Sequence, residues 1–235
     1  MLELTEKRLI SVLWILENKE KNWSIYELRK GAAAMFGEDD AVYKKNTRFP
    51  IMDLALTYRP TFSFVKELEK NGFITKNNKT SEYSVTRAPD LVKLVSLARP
   101  LTNLKTIGYH SPLDFEGTIR LVNATKLAYS FTLFAGSELY RSYVKTDQVH
   151  AYIQQGDEKK WEQYLLSKKF LKAEKSHANL SLLPTKNQAL FKKAKKIKGF
   201  SIAPTSILLS DLLSFGGLGE EQGRFLMEEW LNNKL

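Results

Sequence analysis

The sequence contains no cysteine. Disulfides, thiolate metal sites and cysteine nucleophiles are thereby excluded, and the absence fits a reducing compartment. Long apolar runs are missing too: no stretch reaches the roughly 18 consecutive apolar residues of a membrane-spanning helix. The opening stretch MLELTEKRLISVLWILENKEKNW has a short apolar segment with charges on both sides and no small-residue cleavage site. It does not read as a signal peptide, and the expected location is the cytoplasm. Histidine is scarce. His110, His150 and His177 are scattered, without the spacing of a metal cluster. Acidic residues are outnumbered, 26 against 36 Lys and Arg, which leaves a formal net charge of +10. No metal, no cofactor and no catalytic residue is expected from these residues.

Hydrophobic residues make up 43% and charged residues 26% of the 235, enough apolar material to bury a core. The length suits one large domain or two small ones. The positive excess favours polyanions, nucleic acid first among them.

Leu9, Val12, Leu13 and Leu16 recur at helical spacing, so residues 5–18 read as a helix with Thr5 at its start. Ser24 and Glu27 form a capping-box pattern ahead of a second helix over about 25–35. GEDDAVYKKNTRFP, residues 37–50, reads as a loop, and IMDLALT as the start of a short helix ending before Pro60. Pro60 then opens the helix TFSFVKELEKN, residues 61–71, with Phe64, Val65 and Leu68 along one side and Gly72 as its stop. FIT and EYSVT have strand propensity, and the Lys/Asn/Thr stretch between them is rich in turn formers. APDLVKLVSLA reads as another helix, broken at Arg99-Pro100. The expected domains are residues 1–98 and 99–235.

The order helix, helix, insertion, helix, strand, turn, strand, helix resembles a winged helix-turn-helix over residues 1–98, and the junction LEKNGFI followed by EYSVT is similar to that of many winged-helix regulators. The resemblance implies a recognition helix at 61–71 and a wing at 73–86, with Phe73 packing the wing's first strand onto the core and Ile74 beside it. It departs from the family in one respect: roughly 25 residues, 34–59, separate the second helix from the recognition helix. Between Tyr58 and Arg87 six bases face three acids, a local balance of +3. Arg59, Thr61, Ser63, Lys66, Lys70, Lys76, Lys79 and Arg87 are the expected DNA contacts. Hydroxyls and cations of this kind hold phosphate, and Arg59 alone suits bidentate reading of guanine.

Strands alternate with helices from Thr102 onward, which predicts an α/β domain. Gly136-Ser137 followed by the strand QVHAYI suggests a nucleotidyltransferase-like scaffold. The strand offers His150 and Tyr152 but no acid, and Asp147 stands alone outside it. One carboxylate cannot hold two magnesium ions, so the catalytic carboxylates are lacking. Asp211 reads as a capping or core-satisfied carboxylate, and Trp14, Trp161 and Trp230 as core. The run KNQALFKKAKKIKG, residues 186–199, has six lysines and no acid; it reads as a solvated loop or helix face, or as a second nucleic-acid contact.

LAYSFTLFAGSELYRSYVKTDQVHAYI, then NLSLLP, then GFSIAPTSILLSDLLSFGGLGEEQGRFLMEEW together resemble the C-terminal domain of AbiEi-type antitoxins over roughly 125–232. The matching pieces are Ala135 to Ser137 under the strand Val149 to Ile153, the segment Ala203 to Leu212, and the link from Gly216 into the helix that reaches Trp230. Many relatives carry an Arg near that glycine, for which Arg224 is the nearest candidate. The resemblance implies a transcriptional regulator that represses its own operon and opposes a nucleotidyltransferase-like toxin without stable contact. The expected partners are double-stranded DNA, such a toxin, and a second copy in a homodimer, with no membrane. The alternatives are a divergent nucleotidyltransferase using Gly136, Ser137 and Asp147, and a nucleic-acid-binding protein of a mobile element using the lysine run.

Overall fold

A computed structural model of the chain describes residues 2–36, 56–174 and 176–232. These form a mixed α+β protein. Among the described residues there are ten α-helices, a two-stranded sheet and a seven-stranded mixed sheet. The chain divides into two units, Met1–Ala98 and Arg99–Leu235. None of the described helices is long and apolar enough to cross a membrane.

The first unit comprises α1 (Glu6–Glu17), α2 (Ile25–Phe36), α3 (Tyr58–Lys70), β1 (Ile74–Lys76), β2 (Tyr83–Val85) and α4 (Ala88–Ala98). Its core is built where the apolar periodicities meet: Leu13 and Leu16 of α1, Leu28 of α2, Val65 and Leu68 of α3, Leu91 and Val95 of α4 are all fully buried or nearly so. The capping box closes as its residue types dictate. The Ser24 amide donates to Glu27 Oε2 at 2.7 Å, and the Glu27 amide donates back to Ser24 Oγ at 3.2 Å. The Ser24 amide, and after it the Ser24 hydroxyl at 2.8 Å, stabilise the carboxylate and pull the Glu27 pKa below its ordinary value. Trp14 is half-buried rather than fully in the core, with its indole lying where a side chain at Gly31 would be; a Cβ there would sit 1.8 Å from Trp14 Nε1. The loop expected over 37–50 lies outside the described residues, as does all but the end of the short helix expected from Ile51.

Helix α3 begins at Tyr58, three residues ahead of the expected start. Pro60 therefore sits inside the first turn, where its missing N–H has no helical partner to lose. The helix ends as expected. Gly72 takes φ +73°, its amide donates to Glu69 O at 2.9 Å, and the Phe73 amide donates to Leu68 O at 3.1 Å. This pair of bonds is a Schellman closure. A methyl group at Gly72 would meet no atom within 4 Å, so only the left-handed backbone resists a side chain there. Gly72→Ala is expected to destabilise the first unit by about 1 kcal/mol in urea unfolding.

The hairpin pairs antiparallel with Ile74 opposite Val85 and Lys76 opposite Tyr83. Its turn is held by the Asn77 amide donating to Glu82 O, at 2.8 Å, and by Asn77 Oδ1 accepting from the Lys79 amide, at 2.9 Å. Trp23 extends it on the other side by exchanging two backbone hydrogen bonds with Tyr83. Ile74 (1% exposed) fills the core; Phe73 is only half-buried, with the Arg87 guanidinium 5.5 Å from its ring centroid. The expected packing role thus belongs to Ile74, because strand alternation turns its neighbour outward.

In the second unit the strands β3 (Ile107–His110), β4 (Tyr129–Thr132), β5 (Val149–Gln154), β6 (Leu171–Ala173), β7 (Leu180–Thr185), β8 (Lys195–Ile197) and β9 (Phe200–Ile202) lie in the order β6-β3-β7-β5-β4-β9-β8. Only β5 with β7 and β4 with β9 run parallel. The helices are α5 (Phe115–Asn123), α6 (Leu133–Arg141), α7 (Glu158–Ser167), the single turn α8 (Ala189–Lys192), α9 (Thr205–Phe215) and α10 (Leu218–Leu231). Val149 through Ile153 are all buried, as a strand covered on both faces requires. Trp161 and Trp230 are in the core.

Candidate nucleic-acid interface

Helix α3 sorts its residues cleanly. Thr61, Phe64, Val65 and Leu68 are buried, while Arg59, Ser63, Lys66 and Lys70 are exposed. The expected contact set divides along that line. Thr61 is a correction: its side chain faces the core at 4% exposure, and its hydroxyl already donates to Thr57 O at 2.8 Å. It is three residues before Phe64 and four before Val65, so it falls on the same buried stripe and has no hydroxyl to spare for phosphate.

Lys66 is exposed but paired, with Nζ 2.7 Å from Glu69 Oε2. That hydrogen bond raises its pKa from the ordinary lysine value, keeping the ammonium charged. An exposed pair of this kind is weak and yields readily to a phosphate. Arg87 is exposed and also occupied. Its Nε donates to Asp90 Oδ2 at 2.7 Å, and its guanidinium covers Phe73, so part of its work is to fasten the end of the hairpin to α4. Arg59, Lys70, Lys76 and Lys79 make no ion pair among the described residues. Lys79 stands in the hairpin turn and Lys76 is half-buried on β1. Helix and hairpin are neighbours: the Phe73 amide donates to Leu68 O at the end of α3, and Thr86 Oγ1 after β2 donates to Gly72 O at 2.7 Å. Glu67, an acid on α3, is turned toward α1 and pairs with Arg8 at 3.2 Å.

The exposed face also carries Tyr58 and Phe62, which sequence reasoning passed over. They precede Lys66 by eight and four residues, a spacing that places all three on one face.

In the second unit, Gly136 and Ser137 are packing residues. A Cβ at Gly136 would approach Leu208 Cδ1 to 2.9 Å and Phe131 O to 3.2 Å, so the glycine lets α6 lie close on β4 and α9. Ser137 is 2% exposed and donates its hydroxyl to Phe134 O. Both are buried, and Asp147 is exposed in the loop before β5. Arg224 pairs with Glu220 on its own helix. Gln222, also on α10 and fully buried, reaches across to the segment after α6: its Oε1 accepts from the amides of Tyr143 and Val144 at 2.9 and 2.8 Å.

Asp211 is satisfied within the core. Arg99 Nη1 donates to Oδ1 at 2.5 Å, while Thr132 Oγ1 and Tyr152 OH donate to Oδ2 at 2.6 and 2.7 Å. Arg99 also donates to Tyr152. Burial works against the Arg99 charge, but Tyr152 and Asp211 outweigh it and raise its pKa; burial raises that of Tyr152.

The lysine run folds as α8 and the edge hairpin β8–β9. Lys198 (φ +50°) and Gly199 (φ +84°) form its two-residue turn, the mirror-image geometry that suits strand twist. Lys186, Lys192, Lys193, Lys196 and Lys198 are exposed, and Lys195 lies 5.8 Å from the Tyr140 ring centroid. Lysines on an edge strand also discourage unwanted strand pairing. Comparisons with protein-family models, with curated proteins and with solved structures return no match.

Proposed function

We propose that this chain is a DNA-binding transcriptional regulator whose first unit is a winged helix. In this reading α3 enters a major groove and the β1–β2 hairpin lies along the adjacent backbone. Arg59, Ser63, Lys66, Lys70, Lys76 and Lys79 contact the duplex, and Arg87 shares that role with its bond to Asp90. The observation that carries the reading is the division of α3: one stripe anchors it in the core, and the opposite face shows cations beside a hairpin that bears two more. The second unit is read as an AbiEi-antitoxin-like domain on a nucleotidyltransferase-like scaffold. The regulator then represses its own operon in the cytoplasm and opposes a toxin without stable contact. The burial of Gly136 and Ser137 argues against the enzyme alternative.

The test is binding of the full chain to duplex from upstream of its own gene, against scrambled duplex, across a salt series. The upstream duplex is expected to bind more tightly. Removing charge at Arg59, Lys70, Lys76 and Lys79 with Gln is expected to lower the log–log salt slope by up to about 0.9 for each phosphate that is no longer neutralised. Equal affinity for both duplexes, with a slope unmoved by the quadruple variant, would sink the reading. Tighter binding to RNA or single strands, abolished when Lys192, Lys193, Lys196 and Lys198 become Gln, would favour the mobile-element alternative, which rests on the exposed lysine run.

A further inference from the structure

The outward face of α3 is more than cationic. Tyr58 and Phe62, one turn apart, are 54% and 39% exposed. Their rings stack with centroids 5.9 Å apart and planes 19° from parallel. The Arg29 guanidinium lies 5.9 Å from the Tyr58 centroid and the Lys66 ammonium 5.9 Å from the Phe62 centroid. The helix does not depend on either ring for its own packing, because its buried stripe is Thr61, Phe64, Val65 and Leu68. Two large rings held together on a water-facing surface forgo the favourable free energy of burial. An apolar spot ringed by cations complements the major groove, whose walls are phosphate and whose floor carries a methyl group at every thymine.

Resting on the reading of α3 as the groove-entering helix, we propose that Tyr58 and Phe62 are specificity-determining residues that recognise the C5-methyl groups of thymine. Arg59, Lys66 and Lys70 hold the flanking phosphates and set the register. The cognate site therefore contains adjacent A·T pairs beneath the two rings. Hydrogen bonds read the remaining positions, and removing methyls alone weakens binding.

The experiment compares the full chain on its own upstream duplex with the same duplex carrying deoxyuridine for thymidine, which deletes only the methyl groups. The expected result is an affinity loss of about fourfold per methyl group touched, the fold-change equivalent to about 0.8 kcal/mol for one buried carbon. In Tyr58→Ala and Phe62→Ala the thymine-to-uracil ratio shrinks, and in the double variant it falls to about one. Phe62 is 39% exposed, so the urea midpoint of each variant is recorded alongside; the thymine-to-uracil ratio is taken within one variant and is insensitive to a shared loss of folded protein. Equal binding of thymine and uracil duplexes, with preference over scrambled DNA retained, overturns this inference and leaves the regulator reading standing. No preference for upstream DNA overturns both. A double variant that loses self-association while its thymine-to-uracil ratio stays at the wild-type value places the rings in a protein interface and also overturns it.

Discussion

Asp211→Ala is expected to cost the second unit about 3–5 kcal/mol, enough to unfold it in many conditions. The carboxylate is fully buried on α9, a helix whose residues Thr205 to Leu212 are all buried. A buried carboxylate is tolerated there because three donors face it. Its removal strands the Arg99 guanidinium, whose side chain is 14% exposed, and leaves the hydroxyls of Thr132 and Tyr152 without their acceptor. Thr132 is the N-cap residue of α6 but makes no side-chain capping bond, since its hydroxyl donates to Asp211. The damage therefore reaches the junction of β4 and α6 as well. Replacing both charges, as in Arg99→Met with Asp211→Leu, is expected to recover much of the stability, because the desolvation of two ions disappears with them. Urea unfolding decides the point. Trp161 and Trp230 report on this unit, and Trp14 and Trp23 on the other. A cost below about 1 kcal/mol in Asp211→Ala would show that the network is not a major support of the fold.

Alkaline pH should act on the same unit. Burial pushes Tyr109 up to about 12, the charge of Glu162 adding to it. Burial likewise raises Tyr129, where a bond from the Ser201 amide opposes it, and Tyr152. Because the folded values lie above the unfolded value of about 10, the folded chain keeps protons that the unfolded chain has released. Stability linked to these groups is therefore intact below about pH 10 and is lost as pH rises toward the folded values. Each such tyrosine contributes a slope of about 1.4 kcal/mol per pH unit in that window. The expected result is a steep fall in the unfolding midpoint between about pH 10 and about pH 12, with tyrosinate absorbance appearing together with unfolding. Tyr109→Phe should flatten the fall by the share of one tyrosine. Smooth ionisation of all ten tyrosines near pH 10 in the folded protein would contradict the assignment.

Local signals in the sequence carried through wherever the chemistry is short-range. Ser24 and Glu27 closed their box, and Gly72 ended α3 in a left-handed conformation. Both depend on neighbours a few residues away, and the residue type fixes the donor, the acceptor or the allowed φ. Thr61 was legible too. Its place on the Phe64, Val65 and Leu68 stripe follows from helical period, although a hydroxyl next to a helix start invites a phosphate-binding reading. The same period, counted along the flank of that stripe, aligns Tyr58 and Phe62 with Lys66.

The chain by itself thus determined the capping box ahead of α2, the stop of α3, the hairpin, the cationic excess near it, and the need for Asp211 to be satisfied in an otherwise apolar helix. It could not say by what. Arg99 and Asp211 are 112 positions apart, and Tyr152 and Thr132 come from two different strands. No period or cap encodes such a meeting, since it depends on the strand order β5-β4-β9 and on how α6 and α9 pack there. Burial made the same kind of decision for Gly136 and Ser137. Their spacing suits a phosphate loop or a close helix contact equally well, and only the fold gives them a packing role: a Cβ at Gly136 would crowd the Leu208 side chain and the Phe131 carbonyl, and Ser137 spends its hydroxyl on Phe134 O. Tertiary structure chose between these readings because desolvation and steric exclusion act through space, on atoms that the order of residues leaves far apart.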